Sequence, residues 1–367
     1  MNIPDPLAVL RPLIRLGRPI AQRDLRGLNL RGADPACLAG AVFHQCRLDG
    51  ARFDGLQLAR SRFIGCSLDG ARFDGATLLS SAFLQCSLRG ATLGRAPQPL
   101  RQVCWDDCDL GASHWDGAQL ELCTLVRCRF GQASLRGAQL LRCTVLQGEF
   151  HGADLRGLRL EQSIVHDADL RQAALSGLSG HGAVLINANF DGQQLPGIAL
   201  PRCTLRGASF RAADLSGADL SEANCSAACF DGASLRQLRA ARAHFMAARL
   251  SDADFSGAML EQAVFQQARL QRCRFGQARL AMSVWRQSSS EELDFSDADL
   301  RYARFDEAQG ARLDFSRARL DHASFHGSSV CQSRYDGSSR HGLLVTDAAL
   351  LAAQQQAYAY PPTEETV

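Results

Sequence analysis

From Leu100 to Leu350 a large apolar residue recurs at every fifth position. Leu, Phe, Trp, Val or Tyr fills 45 of these 51 positions; Gly180, Cys225, Ala240, Ser290, Gly310 and Arg340 are the exceptions. Two residues before each centre stands a small residue, mostly Ala, Cys or Ser, as in Ala218-Asp219-Leu220 and Ala258-Met259-Leu260. A period of five fits neither an α-helix nor a simple strand. It calls for a short extended piece and a turn, repeated. Alternate residues of an extended piece share a face. The centre and the small residue before it therefore point inward, and the residues between and after them point outward. The outward positions are predominantly Asp, Arg, Gln, Ser and Gly. Gly often stands two after the centre, as at Gly50, Gly75, Gly137, Gly157 and Gly232, where a tight corner suits it. Pro196 and Pro201 stand one after the centre, so the corner there accepts a fixed φ and no donor.

The aromatic residues reveal a longer cycle. Phe255, Phe275, Phe295, Phe315 and Tyr335 are 20 apart, as are Phe245, Phe265, Trp285, Phe305 and Phe325. Leu260, Leu280, Leu300 and Leu320 form another such series. Four pentads per cycle predict a square turn, with two opposite aromatic walls and two of Leu. Residues Phe43, Phe63 and Phe83, with Phe53 and Phe73, repeat the cycle in another frame. That frame slips near 31–38 and again near 94–100, where Pro97 and Pro99 suit an outward bulge.

These residues resemble the pentapeptide-repeat family, whose motif is A(D/N)LxX. The likeness covers roughly residues 23–350, although many motif positions here hold Cys, Ser or Leu for Ala, and Arg, Gln or Ser for Asp. The resemblance implies an all-β solenoid, a right-handed quadrilateral parallel β-helix. About 15–16 coils at the spacing of neighbouring strands would extend roughly 75 Å. Open ends of such a solenoid need caps. Residues 1–22 are the expected N-terminal cap, a short helix interrupted by Pro12; 23–345 are the repeat. Thr346-Asp347 reads as the start of a C-terminal helix over 346–360, with 361–367 a disordered tail. Leu350, Leu351 and Tyr358 would give that helix an apolar face for the last coil or for a second subunit in a homodimer.

Composition narrows the chemistry. The formal net charge is +2 and every basic residue is Arg. Neither half is a strong polyelectrolyte, so the basic footprint of a nucleic-acid binder is missing. No run of 18 apolar residues exists, so no membrane span is expected, and a cytoplasmic protein is the default, with signal-independent export the other route. Nine of the 14 Cys occupy the small inward position: Cys46, Cys66, Cys86, Cys108, Cys123, Cys128, Cys143, Cys203 and Cys273. They read as wall filling, with reduced thiols. No C-x-x-C accompanies them, and a one-dimensional thiol stack cannot close a tetrahedron, so no metal is expected. The nine His are scattered. Acids before the centres occupy an ordinary outward position. Phosphate-loop, dinucleotide and nucleophile-elbow motifs are absent. No cofactor and no catalytic residue is expected.

The outward residues are the better place for function. Arg249 and Arg269 stand one cycle apart, and Arg142, Arg202 and Arg242 share a column interrupted by Gln162, Gly182 and Glu222. They form either a solvated face of mixed charge or an Arg-presenting binding face. Ser288, Ser289 and Ser290 replace two inward residues of one pentad with hydroxyls and predict a loosened or protruding loop at 286–292. The leading expectation is a non-enzymatic scaffold or adaptor that binds a protein partner. One alternative comes from the family resemblance: some members bind DNA gyrase as duplex mimics and protect it from inhibitors. A mimic should be acidic along its length, and this chain is not. A second is an accessory or effector of a type VI secretion system, from the likeness of Gly17–Leu30 and the Cys-bearing rungs to arrays attached to such systems.

Overall fold

Every inward centre stacks on the matching centre of the next turn, and this register builds the fold. Phe43 pairs with Phe63 and Phe63 with Phe83 in parallel ladders. The computed structural model describes residues 6–30, 34, 36–94 and 98–352. The chain forms a parallel, four-sided β-solenoid of about 15 turns with very little helix. It divides into two compact units, Met1–Ser209 and Phe210–Val367.

In the first unit a helix, α1 (Pro6–Arg15), precedes the strands. The helix runs on through Pro12 instead of stopping there. It has only ten residues, so Pro12 removes a single internal donor. Leu10 is buried, and the Leu16 amide still reaches the Pro12 carbonyl at 3.2 Å. The strands are β1 (Ile20–Ala21), β2 (Val42–His44), β3 (Arg62–Ile64), β4 (Ala82–Leu84), β5 (Leu100–Arg101), β6 (Cys104–Asp106), β7 (Gln119–Glu121), β8 (Thr124–Val126), β9 (Gln139–Leu141), β10 (Thr144–Leu146), β11 (Arg159–Glu161), β12 (Ile164–His166) and β13 (Ser179–His181). One wall is the eight-stranded sheet β1-β2-β3-β4-β6-β8-β10-β12; a second wall carries β5, β7, β9, β11 and β13. On the other walls a single bridge per turn replaces the strand, as at Ser87↔Asp109 and Thr92↔His114.

The frame slips are visible as longer pairing intervals. Ile20 pairs with Phe43, an interval of 23, and Phe83 pairs with Trp105, an interval of 22. Elsewhere the interval is 20, as for Trp105 and Leu125.

The interior is a set of stacked columns. Phe43, Phe63, Phe83 and Trp105 stack at centroid spacings of 4.9, 4.8 and 5.8 Å. Phe53 meets Phe63 from the opposite wall edge-on, at 6.0 Å and 74°. Both arrangements suit the ring quadrupole. The rings then change wall: Phe130 and Phe150 stack at 4.9 Å in a third column. Around them Leu and Val fill the other walls and leave an apolar cavity of about 30 Å³. Trp115 donates its indole N–H to Ser113 Oγ at 2.7 Å. The Trp105 indole N–H, with Val103 in the matching position, has no such partner.

The second unit contains β14 (Arg249–Ser251), β15 (Arg269–Gln271), β16 (Ser289–Glu291), β17 (Gln309–Ala311) and β18 (Ser329–Cys331) in one five-stranded sheet. Phe245, Phe265, Trp285, Phe305 and Phe325 stack along one wall, at spacings from 4.2 to 5.5 Å. Phe255, Phe275, Phe295, Phe315 and Tyr335 stack along the opposite wall, at 4.8 to 5.2 Å. Residues 348–352 are helical. The remainder of the expected C-terminal helix, the tail at 361–367 and Tyr358 lie outside the described residues.

The loop expected at 286–292 does not form. β16 pairs in register with β15 and β17. Ser288 and Ser290 are buried and Ser289 is exposed. The strand survives because neighbouring side chains supply the missing bulk. Leu293 and Leu313 stand where Ala or Cys is usual and are buried at 1% and 2% exposure. A Cβ on Gly310 would lie 2.9 Å from Leu313 Cδ1, so Leu313 already occupies that space.

Corners bring backbone strain. Among the described turns the residue two after nearly every centre takes a left-handed conformation, φ 50–73°, with Gln172 an exception. Gly supplies it at Gly217 and Gly257, but Gln262, Gln267, Arg272, Gln277 and Met282 adopt it in succession. Each non-Gly corner costs roughly 1–2 kcal/mol of backbone energy. The side chains gained there stack between turns, as Gln267 does on Gln287 and Gln287 on Glu307.

Candidate protein-binding face

Each strand turns two side chains outward, one on either side of its buried centre. Elsewhere many outward residues of the single bridges and corners are charged and paired. Arg156 holds Asp154 at 2.5 Å and Arg171 holds Asp169 at 2.7 Å. Arg272 grips Asp252 with two bonds of 2.6 and 2.7 Å, and Arg317 grips Asp297 with two of 2.7 Å. Hydrogen bonds from these guanidinium groups hold the four carboxyls below the usual carboxylate range. The Arg26 side chain does the same to Asp24, which falls to about 2.

The wall of the eight-stranded sheet differs. Its outward residues include Val42, Ile64, Ala82 and Leu84, then Cys104, Thr124 and Val126, then Thr144, Leu146 and Ile164. Their strands alternate buried centres with partly exposed flanks, so the apolar side chains stand on the surface. Leu79, Leu122 and Leu141 extend the stripe onto the adjoining corner at 42%, 46% and 41% exposure, and Ile164 is 39% exposed. β-branched residues, Thr and Leu suit a flat pleated surface. The wall is therefore largely apolar between its rims, with His44, Arg62, Asp106 and His166 among its other outward residues. Arg101 bonds Glu121 at 2.7 Å along one rim, and Arg127 of the other rim bonds Asp106 on the wall itself. The signal lies in the sequence, but only when outward positions are read one wall at a time, turn by turn. Averaged over four walls they look polar.

The residues singled out from the sequence do not converge on one site. Arg142 and Arg202 occupy corners of the first unit, φ 53° and 57°, and Arg142 donates to Gln162 Oε1 at 3.2 Å. Arg242 lies at a corner of the second unit, 3.9 Å from Glu222. Arg249 and Arg269 are register neighbours on β14 and β15, and Arg249 is held by Asp231 at 2.7 Å. Leu350 is half exposed and lines an open cleft of about 610 Å³ with Arg286, Glu307, His326, Leu344 and Val345. Leu351 is half-buried.

The inward thiols are buried and unbridged. Cys46 and Cys86 donate to backbone carbonyls of the previous turn, Ile20 at 3.1 Å and Phe63 at 3.3 Å. Burial pushes Cys203 up to about 11 and Cys273 up to about 12. Among the described residues no three His, Cys, Asp or Glu side chains are grouped to hold a metal ion. No helix of the described residues is long and apolar enough to cross a membrane.

The geometry agrees with the comparison to known families. A model of pentapeptide repeats (8 copies) matches residues 106–143, 166–197, 200–237, 243–281 and 292–330, and a second (9 copies) matches 34–92. The chain belongs to the pentapeptide-repeat family. No curated protein matches it in sequence. Among solved structures, it is similar to HetL of the cyanobacterium Nostoc sp. strain PCC 7120, involved in heterocyst differentiation regulation. Identity there is 17% over 92% of this chain and 96% of that one, with a TM-score of 0.25. It is similar to QnrB1, a plasmid-mediated fluoroquinolone resistance protein, at 19% identity over 54% and 97%, TM-score 0.28. It is also similar to Rfr23 of the cyanobacterium Cyanothece 51142, at 16% over 43% and 91%, TM-score 0.17. At these values no functional argument rests on the three.

Proposed function

We propose that this chain is a non-enzymatic scaffold that binds protein through the outward wall of its eight-stranded sheet. One observation carries the reading: that wall exposes Leu84, Val126, Leu146 and Ile164, whereas the outward positions of the chain are predominantly polar. Apolar surface removed from water is worth about 25 cal/mol per Å². The rim of ion pairs adds orientation and partner choice more than affinity. The gyrase alternative needs an acidic line, and the outward carboxylates here stand beside guanidinium groups instead.

The test is affinity purification of the full chain with quantitative mass spectrometry, an untagged copy of the chain being present. The comparison is a variant carrying Val126→Asp, Leu146→Asp and Ile164→Asp. Recovered proteins, the untagged copy included, should fall at least about tenfold. Identical recovery from both would reject the wall as the binding surface.

A further inference from the structure

We propose that the partner of this wall is a second copy of the same chain, packed face to face about a two-fold axis. The axis runs parallel to the strands and passes between β6 and β8. The inference rests on the protein-binding reading above and names its partner.

Such an axis keeps each column of side chains opposite itself and reverses the order of the turns. β6 then meets β8 of the other copy, β4 meets β10, and β3 meets β12. Down one rim the successive residues are Leu79, Arg101, Glu121 and Leu141. Laid against its own reverse, Leu79 meets Leu141 and Arg101 meets Glu121. Down the other rim stand Gln85, Asp107, Arg127 and Gln147, all with corner φ of 50–54° and so leaving the backbone alike. Reversed, Gln85 meets Gln147 and Asp107 meets Arg127. Between the rims Leu84 meets Leu146, Ala82 meets Thr144, and Cys104 meets Thr124. Asp106 comes over Val126 and keeps Arg127 of its own copy as partner. Arg62 comes over Ile164 of β12, in a turn that also carries Glu161 and Asp167 on its two rims.

The rims pair apolar with apolar, amide with amide and acid with base. A foreign partner imposes no such order on the wall, whereas an isologous interface requires it. The order also fixes the register. Moving the axis onto β6 would set Arg101 against Arg101 and Asp107 against Asp107. At the proposed axis Arg101 and Glu121, already 2.7 Å apart within one copy, close a ring of four alternating charges with their equivalents. Like charges brought face to face cost association, and opposite charges select it.

Sedimentation equilibrium of the full-length chain over roughly 1–100 µM tests the inference. The wild type should dimerise in this range. Leu84→Asp, on the outward side of β4, should weaken the dimer at least about 30-fold. Arg101→Glu alone and Glu121→Arg alone should each remain monomeric where the wild type dimerises. Mixed in equal amounts they should form a heterodimer, because the carboxylate introduced at position 101 of one variant then faces the guanidinium introduced at position 121 of the other. Thermal melts of each variant separate lost association from lost folding. A monomeric wild type overturns the inference, as does a dimer untouched by Leu84→Asp, including one made through the C-terminal segment. Failure of the mixture to re-associate also overturns it. A monomer that still captures an identified protein, lost in the wall variants, removes the second copy as partner and leaves the protein-binding reading standing.

Discussion

A corner residue shows most simply what each position must tolerate. The backbone there is left-handed whatever the side chain, and Gly is the residue that adopts it freely. Gly217, φ +67°, has open space where a Cβ would lie, so Gly217→Ala isolates the backbone cost. The expected loss is about 1 kcal/mol, read as a lower urea midpoint with an unchanged m-value. Corners were legible in the sequence wherever Gly marks them. They were hidden at Gln262 or Met282, where stacking between turns supports a strained non-Gly residue. The pairing of Ser113 with Trp115, and of Ser283 with Trp285 at 2.8 Å, was hidden too. In the sequence each Ser is only a small residue at an inward position; its acceptor role depends on where the indole N–H points.

At the scale of one turn, the interior conserves volume rather than residue type. Gly180 is preceded by buried Leu178 and Ala240 by buried Leu238, so the small and large positions exchange roles. Gly310 and Ser290 are compensated by Leu313 and Leu293. Leu313→Ala should therefore destabilise by about 2–5 kcal/mol, because Leu313 occupies the space that a side chain at Gly310 would fill. A thermal melt with hydrogen exchange at β17 checks it, and a loss below about 0.5 kcal/mol would contradict the compensation. The centres alone placed nearly every residue inside or outside. They misjudged Ser288–Ser290 because a strand tolerates a thin rung when the next corner overfills. They missed the apolar wall because its identity lies in the flanking positions, which the five-residue period does not distinguish.

For the whole molecule, charge is balanced by neighbours rather than by composition. Asp154, Asp169, Asp252, Asp297 and Asp299 are each held below the usual carboxylate range, chiefly by a hydrogen bond from an Arg. A carboxyl with a depressed folded pKa stabilises the fold above its unfolded value, and that contribution disappears as pH falls through the folded value. The melting temperature should stay nearly level from about pH 7 to 5, then fall between about pH 4 and 2. Single exposed pairs contribute little, so the decline should be gradual and become shallower at about 1 M salt. A fall beginning above pH 6 would instead implicate His. The square turn was readable from the sequence because the 20-residue cycle of the centres requires it, and the repeat motif carried the resemblance to the family. Partner choice was not readable, because it depends on which side chains share a wall.

The pairing interval has a consequence for how such a gene can change length. Removing 20 codons deletes one rung and leaves every later residue on its own wall. Removing one codon moves each later buried ring toward a corner, until a bulge absorbs the error. The intervals of 22 and 23 mark where the fold accommodates extra residues without losing register. Substitution edits a wall locally, whereas a single-codon insertion or deletion rewrites everything downstream, so this lineage should tolerate the first freely and admit the second only at the bulges.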